Sequence, residues 1–219
     1  YINNNLWLKK LIMVKNINIK EIKNTLSLNE SNFLSKILKD ENSDSILASL
    51  NKDLLNKYFN ILIGSKNIFL YFCEYENENI GYAILTKKPS FLIDEFKDLK
   101  YQILINLIFS LKFKTIINIL LSMCTLDLIL LSKKRRDFIN DNLNLNLLAI
   151  KKEFQSQGIG RKFVLQFLEN IKTKDSFKRI TVETHNKDTE NFYKKKLDFD
   201  YLGKKIRLFK NLNIFQKKL

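Results

Sequence analysis

Residues 148–164 read "LAIKKEFQSQGIGRKFV", and two of the five glycines in this 219-residue chain, Gly158 and Gly160, stand there one residue apart. Downstream of them Ile159, Phe163, Phe167, Leu168 and Ile171 recur at helical spacing, which predicts a helix from 158 to about 173 with one buried face. Both glycines then fall in its first turn, where each costs about 1 kcal/mol relative to alanine. An anion offsets that cost. A helix start presents unpaired N–H groups and the positive end of the macrodipole, and glycine lets a ligand reach the backbone with no Cβ in the way. Arg161 and Lys162 add positive charge beside it. The stretch therefore suits a phosphate or pyrophosphate. It is a poor P-loop, which needs Gly-Lys-Ser/Thr where this chain has Gly-Arg-Lys. It is a poor dinucleotide fingerprint too, because Phe163 fills the third-glycine position.

On one side of this stretch "NLNLLAI" (144–150) is a strand candidate leading into the glycine pair, and on the other "RITVETH" (179–185) is a strand following the helix. A further helix is expected over 187 to about 197, then a basic strand-like tail. Upstream, "NIFLYFCEYE" (67–76), the polar turn "NEN" (77–79) and "IGYAILTK" (80–87) read as a β-hairpin. Ser27 with Glu30 three residues on reads as a capping box opening a helix, a second helical stretch covers about 45–63, and residues 13–20 alternate weakly as a strand does. Hairpin, strand, helix, strand, helix, strand is an α+β or mixed α/β order.

Two motifs carry a family resemblance. "QSQGIG" (155–160) fits the Gln/Arg-x-x-Gly-x-Gly/Ala pattern of the Gcn5-related N-acetyltransferases (GNAT). About 30 residues later "NKDTENFYKKKLDF" (186–199) resembles the family's Asn-x-x-Ala-x-x-Phe-Tyr-x-x-x-Gly-Phe signature, with Asn186 seven residues before Tyr193. Thr189 stands where the family usually has alanine, Asp198 where it has glycine, and one extra residue separates Tyr193 from Phe199. The likeness covers about residues 144–203, and the hairpin only by layout.

The resemblance implies the GNAT fold: a central mixed, mostly antiparallel sheet flanked by helices, in one domain over 13–219, with a helical apolar insertion at about 89–137. It implies acetyl transfer from acetyl-coenzyme A (acetyl-CoA) to a primary amine, without a metal. In the family the fourth strand splays from the fifth and the pantetheine arm hydrogen-bonds in the gap, here to the backbone of Leu148 and Ile150. The pyrophosphate meets Gln155, Gln157, Gly158, Ile159, Gly160 and Arg161, and Asn186 either binds a backbone group near the cofactor or caps the helix after it. Tyr193 resembles the family's general acid. A thiolate leaves with pKa ~8.5 and a phenol sits near ~10, so the hand-over is a small uphill step. An amine of pKa ~10.4 is neutral about once in ~10³ molecules at pH 7, a handicap of ~4–5 kcal/mol that a base relieves. Thr181, Glu183 and His185 share one face of their strand. Glu183 and His185 are the candidate bases, with Glu74 and Glu76 on the hairpin behind them.

The rest of the chain bears on partners. Basic residues outnumber acidic ones 38 to 23, a net charge of +15, yet the lysines are scattered among asparagines and isoleucines. Nucleic acid is therefore not the expected partner, and no interleaved aromatic and basic RNA-binding motif is present. Two local clusters stand out, "KKRR" at 133–136 and the segment 203–219 with six basic residues and no acidic one. Cys73 and Cys124 are far apart and accompany a single histidine in the whole chain, which gives no zinc site and suits reduced thiols in the cytoplasm. "TIINILLSMCTLDLILLS" (115–132) is 18 residues, about 27 Å as a helix, with Asp127 inside it. Its readings are a wall of the acceptor pocket or a homodimer contact, a peripheral membrane contact through 103–136 at the inner face of the membrane, and, last, a span. Residues 1–12 are an N-terminal extension of open status. The acceptor expected is a primary amine of a small molecule, with an amino sugar or nucleotide-linked amino sugar as the preferred reading. Acetylation of a protein amine is the second reading, and a non-catalytic module for nucleic acid or a membrane surface is the third.

Overall fold

The computed structural model describes residues 16–23, 25–43, 46–87, 99–109, 142–174, 177–207 and 210–219. The N-terminal extension, Cys124, "KKRR" and most of the 89–137 insertion lie outside them. What is described of the insertion is a helix, Lys100–Phe109.

Among the described residues seven strands form one sheet in the order β1-β2-β3-β4-β5-β7-β6. They are β1 (Asn18–Ile22), β2 (Ile68–Tyr75), β3 (Glu78–Thr86), β4 (Leu143–Ile150), β5 (Arg179–Thr184), β6 (Asp200–Arg207) and β7 (Lys210–Lys218). All neighbours are antiparallel except β4 and β5. Among the described residues the α-helices are α1 (Leu28–Glu41), α2 (Lys52–Gly64), α3 (Lys100–Phe109), α4 (Ile159–Lys174) and α5 (Lys187–Asn191). This is the mixed, mostly antiparallel sheet flanked by helices that the family resemblance implies.

Local chemistry sets most boundaries. Ser27 caps α1 reciprocally: the Glu30 N–H donates to Ser27 Oγ (3.2 Å) and the Ser27 N–H donates to Glu30 Oε2 (2.9 Å). The helical stretch expected over 45–63 is divided, with a 3₁₀ turn at Ile46–Ser49 and then α2, because Asn51 takes extended backbone and caps α2 by accepting from the Leu54 N–H. The hairpin turn sits one residue earlier than "NEN": Glu76 and Asn77 both have positive φ, 49° and 63°, the two-residue geometry that matches strand twist.

Alternation along the central strands separates two apolar layers. Tyr71, Cys73, Ala83 and Leu85 face α4, whose Phe163, Phe167 and Ile171 are buried. Leu70, Phe72, Tyr82 and Ile84 face the opposite layer, built on α1 and α2. Phe167 stacks on Tyr71 with centroids 5.7 Å apart. Burial of such a side chain contributes about 2–3 kcal/mol.

The tail differs from the single strand read from its sequence. It is a hairpin, and its second strand, β7, inserts between β5 and β6. Among the described residues no helix is long and apolar enough to cross a membrane.

Candidate functional site

The site begins where the sheet stops being continuous. β4 and β5 pair only through Leu143, Asn144 and Leu145 against Ile180, Thr181 and Val182. Beyond them Asn146 is an extra residue in β4, because Ile84 faces Leu147 while Leu85 faces Leu145. A bulge bends its strand. The rest of β4 stays with β3 while β5 stays with β7, so the two parallel strands diverge. The Thr181 hydroxyl donates to Asn144 Oδ1 (2.5 Å) and rivets the point of divergence.

The open edge of β4 follows from register. The Lys151 N–H donates to the Ile80 carbonyl (2.9 Å), so by alternation Ala149 and Leu147 also turn their backbone groups to β3. Leu148 and Ile150 turn theirs to the gap. Gly81 lies opposite Ile150, and a Cβ there would stand 2.7 Å from the Ala149 carbonyl and 2.3 Å from Ile150 Cδ1. Close approach of β3 and β4 depends on that glycine.

After β4 the chain makes a 3₁₀ turn at Lys152–Phe154 and enters α4. Gly158 precedes the helix rather than lying within it: its φ is 83°, and its carbonyl accepts the Lys162 N–H (3.1 Å). That left-handed conformation, not the spacing of an interior turn, is why glycine stands there. Gly160 is inside the first turn, and a Cβ on it would meet the Phe192 ring at 3.6 Å, an ordinary contact. The N–H groups opening α4 have no partner within the helix, as at every helix start. The glutamines are engaged in the loop itself. Gln155 Nε2 donates to the Ile150 carbonyl and to Glu41 Oε2, each at 2.7 Å, while its backbone N–H donates to the Lys152 carbonyl (3.1 Å). Gln157 Nε2 donates to the Glu153 carbonyl (2.7 Å).

Glu183 and His185 on and after β5 both line the cleft, as does Tyr193. Asn186 caps α5, accepting from the N–H of Asp188 (2.8 Å) and of Thr189 (3.4 Å), and it also lines the cleft. α5 continues as a π turn over Phe192–Lys196. The extra residue between Tyr193 and Phe199 is taken up in that wider turn, closed by the Phe199 N–H donating to the Tyr193 carbonyl (3.0 Å). Asp198, in the family's glycine position, has φ 55°, which a short polar side chain tolerates. Tyr193 is 3 % exposed, with Phe192 and Phe199 ring centroids 5.3 Å to either side. Burial pushes its hydroxyl well above the usual phenol range. Glu74 lies on β2, where Asn18 Nδ2 donates to it (3.4 Å), and Glu76 is in the hairpin turn; neither is among the cleft-lining residues.

The cleft measures about 470 Å³. Its third wall, for which no motif in the chain offers a signal, is the end of α1: Glu41, Asn42 and Ser43. Among the described residues lining it the only side chains of fixed charge are the carboxylates of Glu41 and Glu183. No group of three or more His, Cys, Asp or Glu is placed to hold a metal ion among the described residues.

A sheet parted between two parallel strands, over a glycine-led helix start, defines a coenzyme A-type acyltransferase fold. Residues 136–209 match the family profile for the Acetyltransferase (GNAT) domain. Solved structures agree in fold. An acetyltransferase from Thermus thermophilus superposes with TM-score 0.58 at 10% identity, covering 93% of this chain and 97% of the other. Spermidine N-acetyltransferase from Vibrio cholerae, in complex with CoA and spermine, gives TM-score 0.55 at 11% identity over 93% and 96%. A mosquito arylalkylamine N-acetyltransferase-like protein gives 0.53 at 14% over 92% and 100%. No curated protein matches in sequence.

Proposed function

We propose that this chain is an N-acetyltransferase that moves the acetyl group of acetyl-CoA to a primary amine of a small molecule, working as one cytoplasmic domain over 13–219. One observation carries the reading: β4 and β5 part beyond Leu145 and Val182, β4 leads on through Leu148 and Ile150 to the loop that opens α4, and Leu148 and Tyr193 both line the cleft between the strands. The residues present fit the cosubstrate. Leu148 and Ile150 offer backbone groups to the pantetheine arm, although the Ile150 carbonyl is shared with Gln155. The N–H groups of Gln157, Gly158, Ile159, Gly160 and Arg161 receive the pyrophosphate, supported by the α4 dipole and the Arg161 charge. Gln155 shapes that turn through its side chain, and Asn186 holds α5 and hence Tyr193.

In the reaction the amine nitrogen forms the amide bond, the thioester C–S bond breaks, the amine loses a proton and the thiolate gains one. Tyr193 donates its hydroxyl proton, or a strong hydrogen bond, to the departing sulfur. Burial raises the phenol, which on its own weakens it as an acid. Desolvation of a thiolate beside it raises the thiol as well, which acts against that loss. Glu183 or His185 takes the amine proton; both stand on the β5 side of the cleft.

The acceptor class follows from charge. In a chain of net +15, a cleft whose described lining holds two carboxylates and no lysine or arginine favours a cationic amine over a phosphate-bearing amino sugar. The relative from Vibrio cholerae, described as a spermidine N-acetyltransferase, is of that chemistry. A free amino sugar is compatible with the same cleft. The test is a thiol-release assay with an acceptor panel. Short diamines and polyamines are expected to be the best substrates, free amino sugars weaker, and nucleotide-linked amino sugars inactive. Preference for the nucleotide-linked sugars would overturn the assignment of acceptor class.

A further inference from the structure

Glu41 is the last residue of α1, and its carboxylate reaches the loop between β4 and α4. The Lys152 N–H donates to Oε1 (3.0 Å), and Gln155 Nε2 donates to Oε2 (2.7 Å). Both donors are neutral. The Gln155 amide gives its other hydrogen to the Ile150 carbonyl, so a single side chain joins the last residue of β4, the loop and α1. A second tie runs parallel: the Lys151 ammonium pairs with Glu78 and lies over the α1 ring of Phe33, 5.6 Å from its centroid.

A carboxylate beside a loop that receives a diphosphate has the wrong sign for the ligand. The diphosphate alone disfavours a carboxylate there, so the approach of Glu41 to the loop is accounted for by its two hydrogen bonds, separately from any attraction of its charge for a cationic amine. The loop contains Ser156 and Gly158 at positive φ, 58° and 83°. Meanwhile Asn42 and Ser43, next to Glu41, line the cleft.

We infer that Glu41 is a positioning residue that clamps the cofactor loop to α1, so that the diphosphate cradle and the acceptor wall behave as one unit. The inference rests on the function proposed above. It assigns Glu41 to no proton transfer. Removing it frees the loop, weakens acetyl-CoA binding despite the loss of a repulsive charge, and through the shared helix weakens the amine as well, with turnover at saturation little changed.

The test compares the wild-type chain with Glu41→Ala, Gln155→Ala and the double variant. Acetyl-CoA Kd is read by calorimetry, amine KM and kcat by thiol release, and folding by thermal melting. Deleting a charge-assisted hydrogen bond of this kind is worth about tenfold or more. The expected result is an acetyl-CoA Kd raised about tenfold in each single variant, a double variant no worse than the weaker single one, a raised amine KM, and kcat within about twofold. Should Glu41→Ala melt too low to assay, Glu41→Gln keeps an oxygen for the Lys152 N–H and loses the second acceptor, and a rise of about threefold is expected. An unchanged or tighter acetyl-CoA Kd in Glu41→Ala or Glu41→Gln overturns the clamp. So does a rise confined to amine KM, which would make Glu41 an acceptor contact. A wild-type chain that binds no acetyl-CoA overturns the underlying function instead, and the clamp with it.

Discussion

Tyr193 divides its side chain between two duties. Its ring fills the space between Phe192 and Phe199, and it lines the cleft. Tyr193→Phe keeps the ring and removes the proton donor. Thiol release is expected to slow by about 10²-fold or more with acetyl-CoA affinity nearly unchanged, since general acid–base catalysis contributes in that range. Equal rates by the same assay would remove Tyr193 from the chemistry. Gly81 is a purely steric case. An alanine there meets the Ala149 carbonyl, which is backbone and cannot rotate away. Gly81→Ala is expected to cost about 1–3 kcal/mol in urea denaturation and to push β4 toward the gap. Tyr193 was readable from its Asn186 spacing because a local motif fixes both. Gly81 was not, because nothing in "IGYAILTK" reveals that β4 passes so close.

Among the elements, the path from β4 through α4 to α5 was legible because each piece announces itself locally: a short apolar strand, a glycine-led helix with one apolar face, a second strand, an asparagine cap. Asn186 does cap α5, and Asn186→Ala is expected to lose about 1 kcal/mol of stability in urea denaturation together with several-fold in kcat, as α5 no longer holds Tyr193. A kcat left intact would show that α5 is held by packing alone. The departures from the family pattern were visible in the sequence but not their resolution. Asp198 takes the left-handed conformation of the missing glycine, and the π turn at Phe192–Lys196 absorbs the added residue. The β4 bulge at Asn146 was not readable either, because a bulge shows only against its partner strand. Placement of β7 between β5 and β6 has the same cause, since two basic strands carry no mark of their order.

Across the molecule, the two apolar layers trap groups that ionise with difficulty. Burial pushes the Cys73 thiol up to about 12, with Lys162 opposing and Glu74 adding, and it raises the hydroxyls of Tyr58, Tyr82 and Tyr193. Each group has a folded pKa above its unfolded one, near 9 for the thiol and 10 for the phenols, so the unfolded chain releases those protons first. Their contribution to stability is complete below about pH 9 and falls as pH rises further. Urea midpoints taken from about pH 8 to about pH 11 are expected to drop steeply over the upper half of that range, and a flat profile would contradict the burial of these groups. The fold class was legible from the order of elements. The acceptor wall was not, because Glu41 reaches residues more than a hundred positions away. Everything proposed for the site depends on the gap between β4 and β5 holding acetyl-CoA, and calorimetric titration of acetyl-CoA reads that binding without an acceptor. Saturable one-site binding to the wild-type chain is expected, abolished in Gly158→Glu, which places a carboxylate and a strained backbone at the α4 start. No binding to the wild type, or equal binding to both, would refute it.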